Sequence, residues 1–157
     1  MMGSGKTTVG RRVAERLGRP FVDSDEQVER RTGRTVRQIF EDDGEPAFRR
    51  LETEALTEAL ASPDPSVVAA AGGVVLSPEN RRLLQEPYVV WLRADPAVLA
   101  GRVQGEDHRP LLGDDAEPAL RRLIGERRHL YEEVADLTVD VDDQDPGAVV
   151  ETVLATL

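Results

Sequence analysis

At 157 residues and 39% hydrophobic content, the chain is the size of one domain, large enough to bury roughly two thirds of its unfolded surface in a single core. Its formal charge of −10 argues against non-specific nucleic-acid binding, because the phosphates would be repelled, and its lack of cysteine excludes disulfides and thiolate metal sites. No apolar run reaches the ~18 to 20 residues of a membrane span.

The first segment, Gly3-Ser4-Gly5-Lys6-Thr7-Thr8, matches the second half of the phosphate-binding pattern G-x-x-x-x-G-K-[ST]. Glycines in such a loop let backbone N–H groups turn inward around phosphate oxygens, and the helix that follows points its positive end at the same charge. The lysine reaches the β and γ phosphates, and the next hydroxyl binds a divalent ion. Lys6 is the only lysine; the other nineteen of the twenty basic residues are arginine. A slim point charge can follow a moving phosphoryl group, whereas arginine's planar fork demands bidentate geometry. The first glycine of the pattern falls one position before Met1, and the apolar strand that feeds such a loop falls before that. The natural chain is therefore expected to start ~10 or more residues upstream, with that strand central in the sheet and its neighbours short of ladder partners without it.

After the loop, Val9, Val13 and Leu17 recur at helical spacing and Gly18 stands at a left-handed cap. Phe21-Val22 reads as a short strand delivering Asp23-Ser24-Asp25 to its carboxyl end, where ligands bind in open α/β sheets. Alternation turns one carboxylate toward a nucleotide and the other toward a second pocket, although Asp23 or Ser24 serves equally well as a helix cap. Helices over 26–31 and 35–42 are separated by Gly33, and a longer one runs from Glu45 to about Ala61 with Phe48, Leu51, Ala55, Leu56 and Leu60 on one face. Arg49 on that helix is either a snorkelling surface residue beside Phe48 or a ligand for an anion.

Ser66 to Ala70 is an uncharged strand ending in Ala71-Gly72-Gly73. Paired glycines there make a tight turn or let a ligand approach the backbone closely. Ser77-Pro78, Asp95-Pro96 and Asp145-Pro146 each read as an N-cap followed by a first helical position, and 88–92 and 137–141 complete the strands. Between Gly105 and Pro118 the pattern breaks into polar and turn residues around Arg109-Pro110-Leu111-Leu112, as in a lid. Arg127 and Arg128, on the helix beyond, are surface charges or ligands. Strands alternating with helices, apolar at their centres, predict an α/β fold with a parallel sheet covered on both faces.

Taken in order, the loop, Asp23-Ser24-Asp25, Ile39-Phe40 through Gly44-Glu45 to Phe48-Arg49-Arg50-Leu51-Glu52, Gly72-Gly73, Arg109-Pro110-Leu111-Leu112, and Arg127 ahead of Leu130-Tyr131 resemble shikimate kinase over nearly the whole chain. The resemblance implies a three-layer phosphate-loop kinase fold, like that of nucleoside monophosphate kinases, with the first, central strand missing from this chain. It implies one domain over 1–157, with a substrate-binding helical region over about 24–61 and a lid over about 105–118. The implied reaction moves the γ-phosphoryl group of ATP to the 3-hydroxyl of shikimate, with Mg²⁺ as cofactor. By position, Gly3, Ser4, Gly5, Lys6, Thr7 and Thr8 hold the phosphates, Arg102 and Pro146 lie by the adenine, and Thr7 and Asp23 hold Mg²⁺. Asp25 binds the shikimate hydroxyls and is the candidate base, Arg49 and Arg127 clamp the carboxylate, and Gly72 and Gly73 approach the ring through backbone. Lys6, Asp25 and Arg109 make the catalytic set, Arg109 swinging in with the lid. Such a division of labour suits phosphoryl transfer, which needs alignment and positive charge more than covalent help.

Three places depart from the family pattern: the absent first loop glycine and its strand, Ala71 where a triple glycine is usual, and His129 where proline often precedes Leu-Tyr. The resemblance further implies ATP and shikimate as partners, no nucleic acid or membrane, a monomer, and the cytoplasm, where ATP is. Rival readings are another small-metabolite kinase, such as a gluconate-kinase-like enzyme, and a non-catalytic relative.

Overall fold

The computed structural model describes residues 1–103 and 116–157. Its first helix, α1 (Lys6–Leu17), starts at the lysine of the loop and is bounded by two left-handed glycines, Gly5 (φ 82°) and Gly18 (φ 63°). The Gly18 N–H turns back to the carbonyls of Ala14 and Glu15, closing the helix as its glycine predicts. Val9, Val13 and Ala14 form the buried face.

The chain then runs β1 (Phe21–Asp23), α2 (Ser24–Thr32), α3 (Val36–Asp43), α4 (Glu45–Leu60), β2 (Val67–Ala69), a single 3₁₀ turn (Val74–Leu76), α5 (Pro78–Leu83), β3 (Val90–Arg93), α6 (Pro96–Val103), α7 (Ala116–Val134), β4 (Leu137–Asp140) and α8 (Pro146–Leu154). Local chemistry accounts for most of these boundaries. Thr35 and Gln38 make a reciprocal capping box on α3. Ser77, Asp95 and Asp145 each accept from an N–H at the start of α5, α6 and α8, with proline next in the chain. The 3₁₀ turn carries no sequence signal and arises where the chain leaves Gly73. Strand β2 is shorter than its apolar run because beyond Ala69 the next paired amide, that of Ala71, goes to the Ser24 hydroxyl. Of the segment expected as a lid over 105–118, residues 116–118 open α7; the remainder, with Arg109, lies outside the described residues.

All pairing is parallel. β1 lies beside β2, Phe21 opposite Val67 and Asp23 opposite Ala69, and β3 lies beside β4, Val90 opposite Leu137 and Arg93 opposite Asp140. Among the described residues these remain two separate two-stranded ladders, so β2 and β3 each have one pairing edge open. The main core gathers on these strands, with Leu56, Val75, Leu99, Leu120 and Val149 among its most buried members. A second cluster, Val28, Ile39, Phe48 and Ala55, binds α2, α3 and α4 to one another. No helix among the described residues is long and apolar enough to cross a membrane.

Candidate active site

Gly3, at φ 71°, sits so close to α6 that a β-carbon would stand 3.0 Å from Val103 Cγ1 and 3.1 Å from the Leu99 carbonyl. Ser4 is buried and donates to the Met1 carbonyl at 2.8 Å. Arg102 braces the loop from outside, its guanidinium donating to the carbonyls of Val141 (2.6 Å), Asp142 (2.9 Å) and Gly3 (3.5 Å). Gly5 then stands at the N-cap of α1 with no side chain to satisfy the first-turn N–H groups. A loop with a bare helix N-terminus is a seat for an anion, and Lys6 is the first residue of that helix. Pro146 opens α8, just beyond the Asp142 carbonyl that Arg102 holds.

At the second residue of the loop's helix, the Thr7 hydroxyl donates to Asp23 Oδ2 at 2.9 Å, while Asp23 Oδ1 accepts from the Asp25 N–H at 3.1 Å. Asp23 is therefore both the cap of α2 and the partner of Thr7. A carboxylate's two oxygens let it serve both partners. Asp25, the second residue of α2, is half-buried, and its Oδ1 has no hydrogen-bond partner. Burial pushes its carboxyl above the usual range; Lys6 opposes this, Asp23 and Glu29 add to it, and Arg49 opposes it.

Arg49 projects from α4 between two carboxylates, Nη2 donating to Glu45 Oε1 at 2.7 Å and Nη1 to both oxygens of Glu52 at 3.0 Å. Its guanidinium also lies where a β-carbon on Gly73 would be. Glu52 is 1% exposed, and burial raises its carboxyl against the pull of Arg49. Glu45, Arg49, Glu52, Gly73 and Asn80 line a cavity of about 390 Å³. Across from it, Arg127 is 5% exposed and donates to the Gly72 carbonyl at 3.3 Å, leaving its Nε without a partner. The Tyr131 hydroxyl donates to the same carbonyl at 2.6 Å, and its ring stacks on Trp91 at 5.3 Å. Asp25 Oδ1, Arg127 Nε and Asn80 Oδ1 are thus buried polar atoms without partners around one region, the pattern of a site that waits for a polar ligand.

Of the predicted residues, the structure brings together Lys6, Thr7, Asp23 and Asp25 on one side and Arg49, Gly72, Gly73 and Arg127 on the other, with Asp25 between them. It separates the paired arginines: Arg127 is buried and Arg128 exposed, and Arg49 is held by two carboxylates while Arg50 is exposed. His129 is on the helix surface. Glu45, Glu52, Asn80 and Tyr131 carry no role in the sequence reading. Glu52 was legible as an acid three residues after Arg49 on an apolar face; the Tyr131 contact, 59 residues from Gly72, leaves no local trace.

A phosphate loop opening a helix, an acid pair at the end of the next strand, and a buried basic pocket beyond them define a phosphate-loop kinase of small molecules. The family model described as shikimate kinase matches residues 2–157. The shikimate kinase of Synechococcus sp. (strain CC9605) is 46% identical over 159 residues, spanning all of this chain and 79% of its own. That of Thermobifida fusca is 44% identical over 155 residues, covering 99% of this chain and 90% of its own. A solved structure titled shikimate kinase from Acinetobacter baumannii in complex with shikimate superimposes with a TM-score of 0.93 at 38% identity, covering 99% of this chain and 87% of that one. The chain belongs to the shikimate kinase family.

Proposed function

We infer that the protein transfers the γ-phosphoryl group of ATP to the 3-hydroxyl of shikimate, giving ADP and shikimate 3-phosphate. The observation that carries this reading is the unpartnered Asp25 Oδ1, the Arg49–Glu52 ion pair at 3.0 Å against Gly73, and the buried Arg127 on the Gly72 carbonyl, in a chain that opens with the phosphate loop. A half-buried and a buried arginine with a carboxylate suit a small hydroxy acid: the cations take its carboxylate and the aspartate takes a hydroxyl.

In this reading the N–H groups from Gly3 to Thr8 surround the phosphates, Lys6 follows the transferred group, and Arg102 and Pro146 border the base. Arg109 adds a cation by its position in the sequence. Asp25, raised toward neutrality by its surroundings, accepts the proton of the attacking hydroxyl; a base needs a pKa brought near the working pH. Arg49 and Arg127 orient the carboxylate, with Glu45 and Glu52 holding Arg49 in place, and the backbone at Gly72 and Gly73 allows the ring close. Excluding water leaves the hydroxyl as the only acceptor.

The Thr7 hydroxyl and Asp23 carboxylate are oxygen donors 2.9 Å apart, and among the described residues no cluster of three or more acidic, His or Cys side chains could enclose a metal. That donor set fits Mg²⁺, which keeps waters and takes phosphate oxygens rather than an all-protein cage. When bound, the ion neutralises charge on the transferring phosphoryl group. The net charge of −10 supports a protein that leaves nucleic acid alone; the reading includes a cytoplasmic monomer.

The test is release of ADP, coupled to a spectrophotometric signal, with shikimate, gluconate and no acceptor. Shikimate-dependent turnover supports the reading, turnover only with gluconate moves the substrate class, and shikimate binding without turnover marks a non-catalytic relative.

A further inference from the structure

Either Asp23 or Ser24 has the side chain to cap α2, and the structure gives that task to Asp23, whose carboxylate accepts from the Asp25 N–H. Ser24, the first residue of the helix, is 1% exposed. Its hydroxyl is used 47 residues away in the chain, accepting from the Ala71 N–H at 2.9 Å.

The strand register explains that bond. β1 and β2 are parallel with Asp23 opposite Ala69, and the Val67 N–H bonds the Pro20 carbonyl. A parallel ladder repeats every two residues, so its next rungs run from 69 to 22 and from 71 to 24. Position 24 has already turned into α2, where backbone carbonyls point along the helix axis. The Ser24 hydroxyl stands in for the carbonyl, and the ladder gains one more rung through a side chain.

This rung joins two pieces of the site. On one side is Asp25, the next residue in the chain. On the other is the turn over 71–73, whose Gly72 carbonyl is held from α7 by Arg127 at 3.3 Å and Tyr131 at 2.6 Å, and whose Gly73 lies against the Arg49 guanidinium. The bonds at Gly72 fix the turn to α7. Among the described residues, the only hydrogen bond between the turn and α2 is that of Ser24.

We propose that Ser24 is a positioning residue for phosphoryl transfer: by holding Ala71, it sets the distance between the Asp25 carboxylate and the glycine turn on which the acceptor ring rests. The inference rests on the kinase reading and adds to it a residue that touches neither substrate. A buried amide without an acceptor is costly, so without the hydroxyl the turn shifts until the Ala71 N–H finds another partner. The acceptor's carboxylate keeps its two arginines, which belong to α4 and α7, and its affinity changes little. Its reacting hydroxyl moves relative to Asp25, and a misplacement of about 1 Å costs on the order of a hundredfold in rate.

The test is steady-state kinetics of the full chain with Ser24→Ala and Ser24→Thr, by release of ADP, with shikimate and ATP varied in turn. Ser24→Ala should lower kcat by about tenfold to a hundredfold while both KM values stay within about threefold, the opposite split from that of Arg49→Ala. Ser24→Thr keeps a hydroxyl and should recover kcat to within about threefold of the parent. A Ser24→Ala kcat within about twofold of the parent, a rise in the shikimate KM at unchanged kcat, or an equal loss of kcat in Ser24→Thr overturns the inference and leaves the kinase reading in place. No shikimate-dependent turnover by the parent overturns both. If circular dichroism shows Ser24→Ala unfolded, Ser24→Cys, which fills the space with a poor acceptor, is judged by the same criteria.

Discussion

The guanidinium of Arg49 occupies the space that a β-carbon on residue 73 would need. Glycine at 73 is thus set by an arginine 24 positions earlier in the chain, held there by Glu45 and Glu52. Gly73→Ala should push the guanidinium out of register and raise the KM for shikimate by about tenfold to a hundredfold, the scale of a weakened charge-assisted bond. Arg49→Ala should do at least as much, with the KM for ATP nearly unchanged in both. Equal movement of the two constants would show that Arg49 does not face the acceptor.

Asp23 serves α2 through one oxygen and Thr7 through the other. Asparagine is as good an N-cap as aspartate, so Asp23→Asn should leave the melting temperature within about 2 °C while raising the Mg²⁺ concentration needed for half-maximal activity severalfold. A large loss of stability with an unchanged Mg²⁺ requirement would make Asp23 a cap alone.

Tyr131 joins the sheet to the glycine turn, through stacking on Trp91 and hydrogen bonding at the Gly72 carbonyl and the Met1 sulfur. Tyr131→Phe keeps the ring and removes the hydroxyl. Denaturant unfolding should show a loss of about 1 to 2 kcal/mol, since Arg127 still serves the Gly72 carbonyl. No loss would mean that the hydroxyl bonds are replaced by solvent.

Burial raises the carboxyls of both Asp25 and Glu52. A raised folded pKa means the native state holds its proton more firmly than the unfolded chain, so ionisation costs stability, and the cost is relieved as pH falls from the folded pKa toward the unfolded one. Thermal melts should accordingly show the parent chain gaining on Asp25→Asn as pH is lowered from 7 toward about 4. A difference that stays flat over this window would count against the buried acid. Activity moves the other way: Asp25 must be ionised to accept a proton, so kcat/KM should fall as pH drops through its raised pKa, earlier than an ordinary aspartate allows.

Much of the molecule was legible in its residues, and the illegible part has a pattern. The loop, the glycine caps and the Ser-Pro and Asp-Pro helix starts were readable and appear at their places, and the apolar strand runs appear with ends shifted by one or two residues. Arg49 and Arg127 were not separable from their neighbours Arg50 and Arg128 by charge or spacing alone; only the family resemblance singled them out. Glu52 had no role assigned from the sequence.

By itself the sequence determined which segments are helix or strand, about where they begin, and that Lys6 lies in a phosphate-loop motif, because caps, left-handed glycines and side-chain periodicity act within a few residues of backbone. Only the tertiary structure decided that Asp23 answers two partners, that Arg49 lies on Gly73, and that β1 pairs with β2 and β3 with β4. Those facts are contacts between elements far apart in the chain, set by packing and by the demand that buried polar groups find partners, and no local stretch of residues encodes them.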